Sequence, residues 1–185
     1  MTRSKSNHDR TMDIRAFDMN TEHKSHTPTE IRDLWQTPRF VFDYYDRRFN
    51  FKTDLAASDK NNLCDHYYTE SNSAFDAEVS DFSGAAFCNP PYSDIMPWVM
   101  ECVIKSELAG KPFVMLIPAD TSVKWFKAAF DNCSECHFIS GRLSFINAET
   151  QKPVNGNNKG SVVFIFDPLS PFRSQVALID RESMK

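Results

Sequence analysis

Two consecutive prolines, Pro90 and Pro91, stand directly behind a short apolar run, Ala85-Ala86-Phe87-Cys88. No other feature constrains the fold as tightly. Proline has no backbone N–H and a fixed φ, so neither residue can continue a central sheet ladder. The run before them has the length and composition of a buried strand bounded by turn formers. The chain must therefore end a core strand and turn a rigid corner. That corner carries a carboxamide, Asn89, on one side and an aromatic ring, Tyr92, on the other. In open α/β sheets the carboxyl ends of the strands are where ligands bind.

Asn89-Pro90-Pro91-Tyr92 suits one kind of chemistry. The exocyclic amine of a nucleobase is a poor nucleophile, because its lone pair is delocalised into the ring. The Asn89 side-chain oxygen can accept a hydrogen bond from one amine hydrogen. The Pro90 carbonyl can accept the other. Two acceptors in fixed directions favour a more tetrahedral nitrogen whose lone pair points at an electrophilic methyl group. The prolines set this geometry during folding, so little is lost at the moment of reaction. Tyr92 can stack on the base, a contact worth roughly 1–3 kcal/mol. The motif resembles the catalytic motif of amino-group methyltransferases that use S-adenosylmethionine, which act on adenine N6, cytosine N4 or protein glutamine.

The remaining pattern predicts an α/β domain. Residues 1–30 are polar, without periodic apolar positions, and read as a flexible arm; residues 31–185 read as one domain. Thr37 reads as a helix N-cap, with Pro38 at the first helical position. Val41, Tyr44, Tyr45 and Phe49 share one face of that helix. Phe51–Ala57 reads as the first central strand, with Asp54 at its end, and His66–Thr69 as a second. Asp54 and Asn89 are only 35 positions apart, against about 30 residues for one βαβ unit. This half of the sheet should be abbreviated. Ile95, Trp98, Val99, Cys102 and Val103 repeat at helical spacing, and Gly110 and Pro112 stop that helix. Phe113–Ile117 is a buried parallel strand. A helix over Ser122–Phe130, a strand at 136–139 and a last strand at Ser161–Phe166 follow, with a flexible connection over 152–160. Residues from Pro168 onward read as peripheral. The order predicts a doubly wound, mostly parallel Rossmann-like sheet that closes on an antiparallel hairpin.

Composition narrows the function. No apolar run is long enough to span a membrane and no signal-peptide pattern is present. The five cysteines then read as reduced thiols in a cytoplasm. Cys133-Ser134-Glu135-Cys136-His137 has the spacing of a c-type haem attachment site, but without export it reads as a helix exit entering a strand, and no metal is expected. The net charge of -4 argues mildly against a nucleic-acid partner, although a local basic face suffices to attract phosphates. No Gly-x-Gly-x-x-Gly follows the first strand, which argues against dinucleotides and nucleoside triphosphates. S-Adenosylmethionine has no phosphate. It needs a carboxylate for its ammonium, small residues for close approach and an acceptor for its ribose. Asp54 with Ala56 and Ala57 meets the first two needs. Asp76 or Glu70, beyond the second strand, meets the third.

Trp35-Gln36-Thr37-Pro38, Asp54-Leu55-Ala56-Ala57, Asn61, Asn89-Pro90-Pro91-Tyr92-Ser93 and Gly141-Arg142-Leu143-Ser144-Phe145 occur in that order. Over roughly residues 33–166 the chain resembles the small phage-type DNA N6-adenine methyltransferases, the phage Dam-like group. The resemblance implies S-adenosylmethionine as cofactor and double-stranded DNA as partner. The target adenine would be flipped out of the duplex. It places Asn89, Pro90, Pro91 and Tyr92 at the catalytic corner, and Trp35, Thr37, Pro38, Asp54 and Ala56 at the cofactor. Lys124, Arg142 and Lys159, on or beside loops of the later half, are candidate phosphate contacts. With the same corner, RNA or a protein glutamine is the alternative substrate. A non-catalytic nucleic-acid-binding module is the alternative of another class.

Overall fold

The computed structural model describes residues 35–147, 150–154 and 159–185. The expected N-terminal arm lies outside them. The described residues form nine strands and three α-helices: β1 (Trp35–Gln36), α1 (Arg39–Phe49), β2 (Thr53–Asp54), β3 (His66–Tyr67), β4 (Ala86–Cys88), α2 (Ile95–Ala109), β5 (Phe113–Pro118), α3 (Lys124–Asn132), β6 (Glu135–Ser140), β7 (Ile146–Asn147), β8 (Ser161–Phe166) and β9 (Gln175–Asp180). Seven strands form one sheet in the order β3-β2-β4-β5-β8-β6-β9. Only β8 runs against the others, pairing antiparallel with both β5 and β6. The expected mixed α/β architecture with a mainly parallel sheet and a late antiparallel pair is present. Among the described residues no helix is long and apolar enough to cross a membrane.

Strand periodicity explains the layers, because successive side chains point to opposite faces. Ala86, Cys88, Phe113, Met115, Ile117, Val162, Phe164 and Phe166 face one core, which α2 covers with Val99, Cys102 and Val103 and α3 with Phe126 and Ala129. Ala85, Phe87, Val114, Leu116, Val163 and Ile165 face the other core, covered by Val41, Phe42 and Tyr45 of α1. Burying each large apolar side chain contributes roughly 1.5–3 kcal/mol. The central strands read as continuous apolar runs because both of their faces are covered. Gly110 ends α2 in the left-handed conformation, at φ 62°, where a side chain would be strained.

Several boundaries depart from expectation. The first central strand is two residues, not seven, because Leu55 already turns away, although its N–H still reaches Phe87 O at 2.8 Å. The abbreviation of this half is therefore real: β2 and β3 have two residues each, whereas β5, β6 and β8 have six. Helix α1 begins at Arg39, with Pro38 rather than Thr37 in the cap position. Pro38 has an extended ψ of 132°, which delays the helix by one residue and leaves the Thr37 hydroxyl off the helix end. Ser161–Phe166 is not the last strand. β9 follows it and pairs in parallel along the outer edge of β6. Its alternating, largely exposed side chains (Val176 56%, Leu178 74%) gave no core signal. The helix expected over Ser122–Phe130 starts and ends two residues later, at Lys124 and Asn132, and Phe130 on it is half-buried.

Candidate active site

The chain leaves β2 toward β3 on one side and leaves β4 toward β5 on the other. Strand order thus reverses between β2 and β4, which are direct neighbours in register, Asp54 opposite Phe87. At such a switch point the connections diverge and leave a crevice at the carboxyl ends of the strands. Trp35, Gln36, Thr37, Asp54, Ala56, Asn61, Leu63, Phe87 and Asn89 line that crevice.

Asp54 forms one wall. It is 3% exposed and accepts hydrogen bonds from Leu63 N–H at 3.1 Å and Ala56 N–H at 3.3 Å. The loop that supplies them is held by Asn61, whose side-chain oxygen accepts from Ser58 N–H and Oγ at 2.6 and 2.9 Å. Burial raises the Asp54 carboxyl to about 6, and the two N–H bonds only partly oppose this. No cationic side chain contributes. A buried carboxylate so placed is complementary to a positive group entering from the crevice.

The opposite lip is a strap formed by Trp35, Gln36 and Thr37. Among the described residues the buried side-chain polar atoms without a hydrogen bond are Trp35 Nε1, Gln36 Nε2, Thr37 Oγ1 and Glu101 Oε1. Glu101 has an ion pair with Lys105 at 2.5 Å. The other three belong to consecutive residues of one strap and border one crevice. Leaving a buried donor unmade costs about 1–3 kcal/mol each, so three together at one place mark a binding surface.

Asn89 closes the end of the crevice. Its Nδ2 donates to Trp35 O at 3.1 Å, and its Oδ1 accepts from Tyr92 Oη–H at 3.1 Å. The Tyr92 ring stands at right angles to Trp35 (centroids 6.0 Å apart, 81°) and to Phe145 (6.1 Å, 87°). Burial pushes its phenol well above the ordinary tyrosine range, so it remains a donor. A carboxamide oxygen has two lone pairs. Asn89 Oδ1 can therefore hold the Tyr92 hydroxyl and still accept from a substrate amine.

Residues 24–185 match the model of the family described as DNA N-6-adenine-methyltransferase (Dam). The DNA N-6-adenine-methyltransferase of Haemophilus phage HP1 is 36% identical over 155 residues, covering 82% of this chain and 88% of that protein. That of Escherichia phage T1 is 36% identical over 161 residues, covering 78% of this chain and 67% of that protein. The chain belongs to the Dam family of DNA N-6-adenine methyltransferases.

In this Dam-family chain the fold gathers Trp35, Thr37, Asp54, Ala56 and Asn89 at one crevice. Pro38 caps α1 beside it, Pro90 is buried behind Asn89, and Pro91 and Tyr92 are half-buried. Asp76 is not brought there. It is exposed on a 3-10 turn, Ala74–Asp76. The turn is pinned to α2 by Lys105, whose Nζ donates to Ala74 O at 2.6 Å and Ala77 O at 2.8 Å. Glu70 is likewise exposed. The three basic candidates do not form one cluster. Lys124 is exposed at the start of α3 and Arg142 is exposed beside β6. Lys159 is ion-paired with Asp120 at the end of β5. Gln36 and Leu63 line the crevice without having been singled out as binding residues. Gln36 sits between two residues that were, and an extended strap exposes neighbours that a buried strand would hide. His137, which completed the haem-like spacing, instead bonds Tyr45 Oη at 3.2 Å and Glu135 at 3.1 Å in a buried network tying β6 to α1.

Proposed function

We propose that this methyltransferase transfers a methyl group from S-adenosylmethionine to N6 of an adenine turned out of double-stranded DNA. One observation carries the reading: the buried carboxylate of Asp54 lines the same crevice as Trp35, Gln36 and Thr37, whose buried Nε1, Nε2 and Oγ1 have no hydrogen bond, and Asn89 borders it too. That layout fits the zwitterionic end of the cofactor. Asp54 would take the ammonium, while Trp35 Nε1, Gln36 Nε2 and Thr37 Oγ1 would take the carboxylate. Pro38 and Ala56 shape the lips. When bound, S-adenosylmethionine supplies a methyl group activated by its sulfonium.

The chain's own residues prepare the acceptor. Asn89 Oδ1 and the Pro90 carbonyl accept the two hydrogens of the adenine amine and draw its lone pair out of the ring plane. Pro91 stiffens the corner. Tyr92 fixes the Asn89 oxygen through its hydroxyl and offers its ring to the base. After transfer the amine gives its extra proton to water. Arg142 and Lys124 are exposed to meet phosphates, and Lys159 would exchange Asp120 for one.

Incubation with methyl-labelled cofactor and unmethylated duplex DNA, followed by digestion, should yield label in N6-methyladenine. Label appearing only with RNA or protein would assign the corner to the alternative substrates. No label with any of them would refute the enzyme. Asn89→Ala should lower kcat at least about 100-fold, while cofactor affinity, measured by calorimetry, stays within a few-fold. Comparable activity in that variant would mean another group orients the amine.

A further inference from the structure

The segment Gly141-Arg142-Leu143-Ser144-Phe145 has no part in the chemistry above, yet it reaches the catalytic corner. Gly141 turns the chain at φ 86°. Burial then alternates: Arg142 and Ser144 point outward, Leu143 and Phe145 inward at 2% and 1% exposure. The Phe145 ring stacks on Trp35, with centroids 5.4 Å apart and planes 18° from parallel. Next in the chain, Ile146–Asn147 pairs antiparallel with Trp35–Gln36. Phe145 is anchored from behind, since its carbonyl accepts from Val154 N–H at 2.7 Å.

Trp35 is thus held by its ring and its backbone, and its carbonyl is the group that Asn89 Nδ2 meets. This contact decides which way the carboxamide faces. A carbonyl can only accept, so the Asn89 atom against it must be the NH2 group. The oxygen is then turned to the side where the Tyr92 hydroxyl reaches it. Were the Trp35 carbonyl to drift, nothing on that side would stop the amide from flipping and offering donors to an amine that already has two.

We propose that Phe145 is a positioning residue for methyl transfer: stacked on Trp35, it holds the Trp35 carbonyl that turns the Asn89 oxygen toward the adenine amine. The proposal rests on the function proposed above and adds a role to a residue that stands behind the crevice lining rather than in it.

Three variants of the full chain test it. Phe145→Leu and Trp35→Leu each remove one ring of the stack. Trp35→Phe keeps a ring that can stack and loses Nε1 together with the smaller ring of the indole. Steady-state kinetics on duplex DNA should show kcat reduced about 10- to 100-fold in both leucine variants, the range for a displaced catalytic group. In Phe145→Leu the cofactor KM should rise less than in Trp35→Leu, because the Trp35 Nε1 donor is still present. Trp35→Phe should recover most of the kcat lost in Trp35→Leu while keeping a raised cofactor KM. A duplex with 2-aminopurine at the target should still brighten with Phe145→Leu, because base extrusion does not need the amide orientation. The inference is overturned if kcat of Phe145→Leu stays within twofold of the unaltered chain. It is equally overturned if kcat, cofactor affinity and Tm fall in step, or if Trp35→Phe behaves like Trp35→Leu. Failure of the unaltered chain to methylate adenine would instead sink the function proposed above.

Discussion

Neutralising Asp54 should uncouple cofactor binding from pH. Burial raises its carboxyl from the ordinary 3.8 to about 6. At 3% exposure solvent screens little of this, and the change corresponds to about 3 kcal/mol of destabilisation of the free protein at pH 7. The sign follows from proton uptake. The folded chain holds a proton on Asp54 at pH values where the unfolded chain does not. This group's contribution to stability is therefore fully present below 3.8 and is lost as pH rises through about 6. Cofactor binding has the opposite slope, because only the carboxylate can pair with an ammonium. Between pH 7 and pH 5 the carboxylate fraction falls from nearly all to about one in eleven, so affinity should fall about tenfold.

Asp54→Asn keeps the shape and removes the charge. Leu63 and Ala56 reach different carboxylate oxygens, so the single amide oxygen keeps one of the two bonds and the NH2 group meets the other N–H. That loss offsets the relief of no longer burying a charge, so the net change at pH 7 should be no more than about 1–2 kcal/mol. Cofactor affinity should drop at least about 30-fold, the cost of taking one partner from a buried charge pair, and its slope between pH 5 and 7 should vanish. Calorimetry with S-adenosylhomocysteine, which keeps the amino-acid end and cannot react, measures both effects. The thermal comparison must be a difference between the two chains. His137 is held below its ordinary pKa by burial, so its contribution is present above 6.5 and lost as pH falls through the same window. Equal binding by the unaltered chain at pH 5 and 7, or a slope retained by Asp54→Asn, would refute this role for Asp54.

Tyr92→Phe keeps the ring but loses the bond to Asn89, so kcat should fall about 2- to 10-fold, whereas Tyr92→Ala should lose at least tenfold more in single-turnover assays. Lys105→Met should cost about 3–5 kcal/mol in urea unfolding. It strands Glu101 and the carbonyls of Ala74 and Ala77, and activity per folded molecule should be preserved. Arg142→Ala should weaken binding to all duplexes alike and reduce the salt slope of log affinity by about one, as read by titration at several salt concentrations.

The core was legible because both sheet faces repeat with period two. Phe113–Ile117 and Ser161–Phe166 announce themselves as runs that only a doubly covered strand would bury. The strand end at Asn89 was legible because Pro90 and Pro91 leave the chain no local alternative. What could not be read is whatever depends on distant partners. β1 exists only because Ile146–Asn147 returns to pair with it. β9 has an exposed outer face and is a strand only because β6 offers an edge. The role of Thr37 was misread for a related reason. A Thr-Pro pair has the local chemistry of a helix cap, but here the hydroxyl is drawn off the helix and left among the donors bordering the crevice. Asp76 lies past the second strand, where an acid for a ribose was expected, but the Lys105 staple sets where that turn docks, and no spacing rule reveals a staple 29 residues away.

The glycine-free loop after β2 now has a physical explanation. A phosphate-binding loop brings its own backbone donors to the ligand, and glycines let them converge. Asp54-Leu55-Ala56-Ala57 does the reverse. Its Ala56 N–H, with Leu63 N–H beyond it, is spent on stabilising a buried anion, so this side of the crevice offers negative charge. In the proposed function the donors come from elsewhere, and the Trp35–Thr37 strap would supply them. That strap is fixed by Phe145, Ile146 and Asn147, more than a hundred positions later. Dividing the site this way lets the first half of the sheet be short, because its strands need only place one carboxylate. The same division would tie the proposed catalytic amide to the cofactor side, since the Trp35 carbonyl that Asn89 meets belongs to the strap bordering the crevice. On the proposed function, acceptor and donor of the methyl group would be aligned by one short piece of chain, anchored by residues more than a hundred positions later.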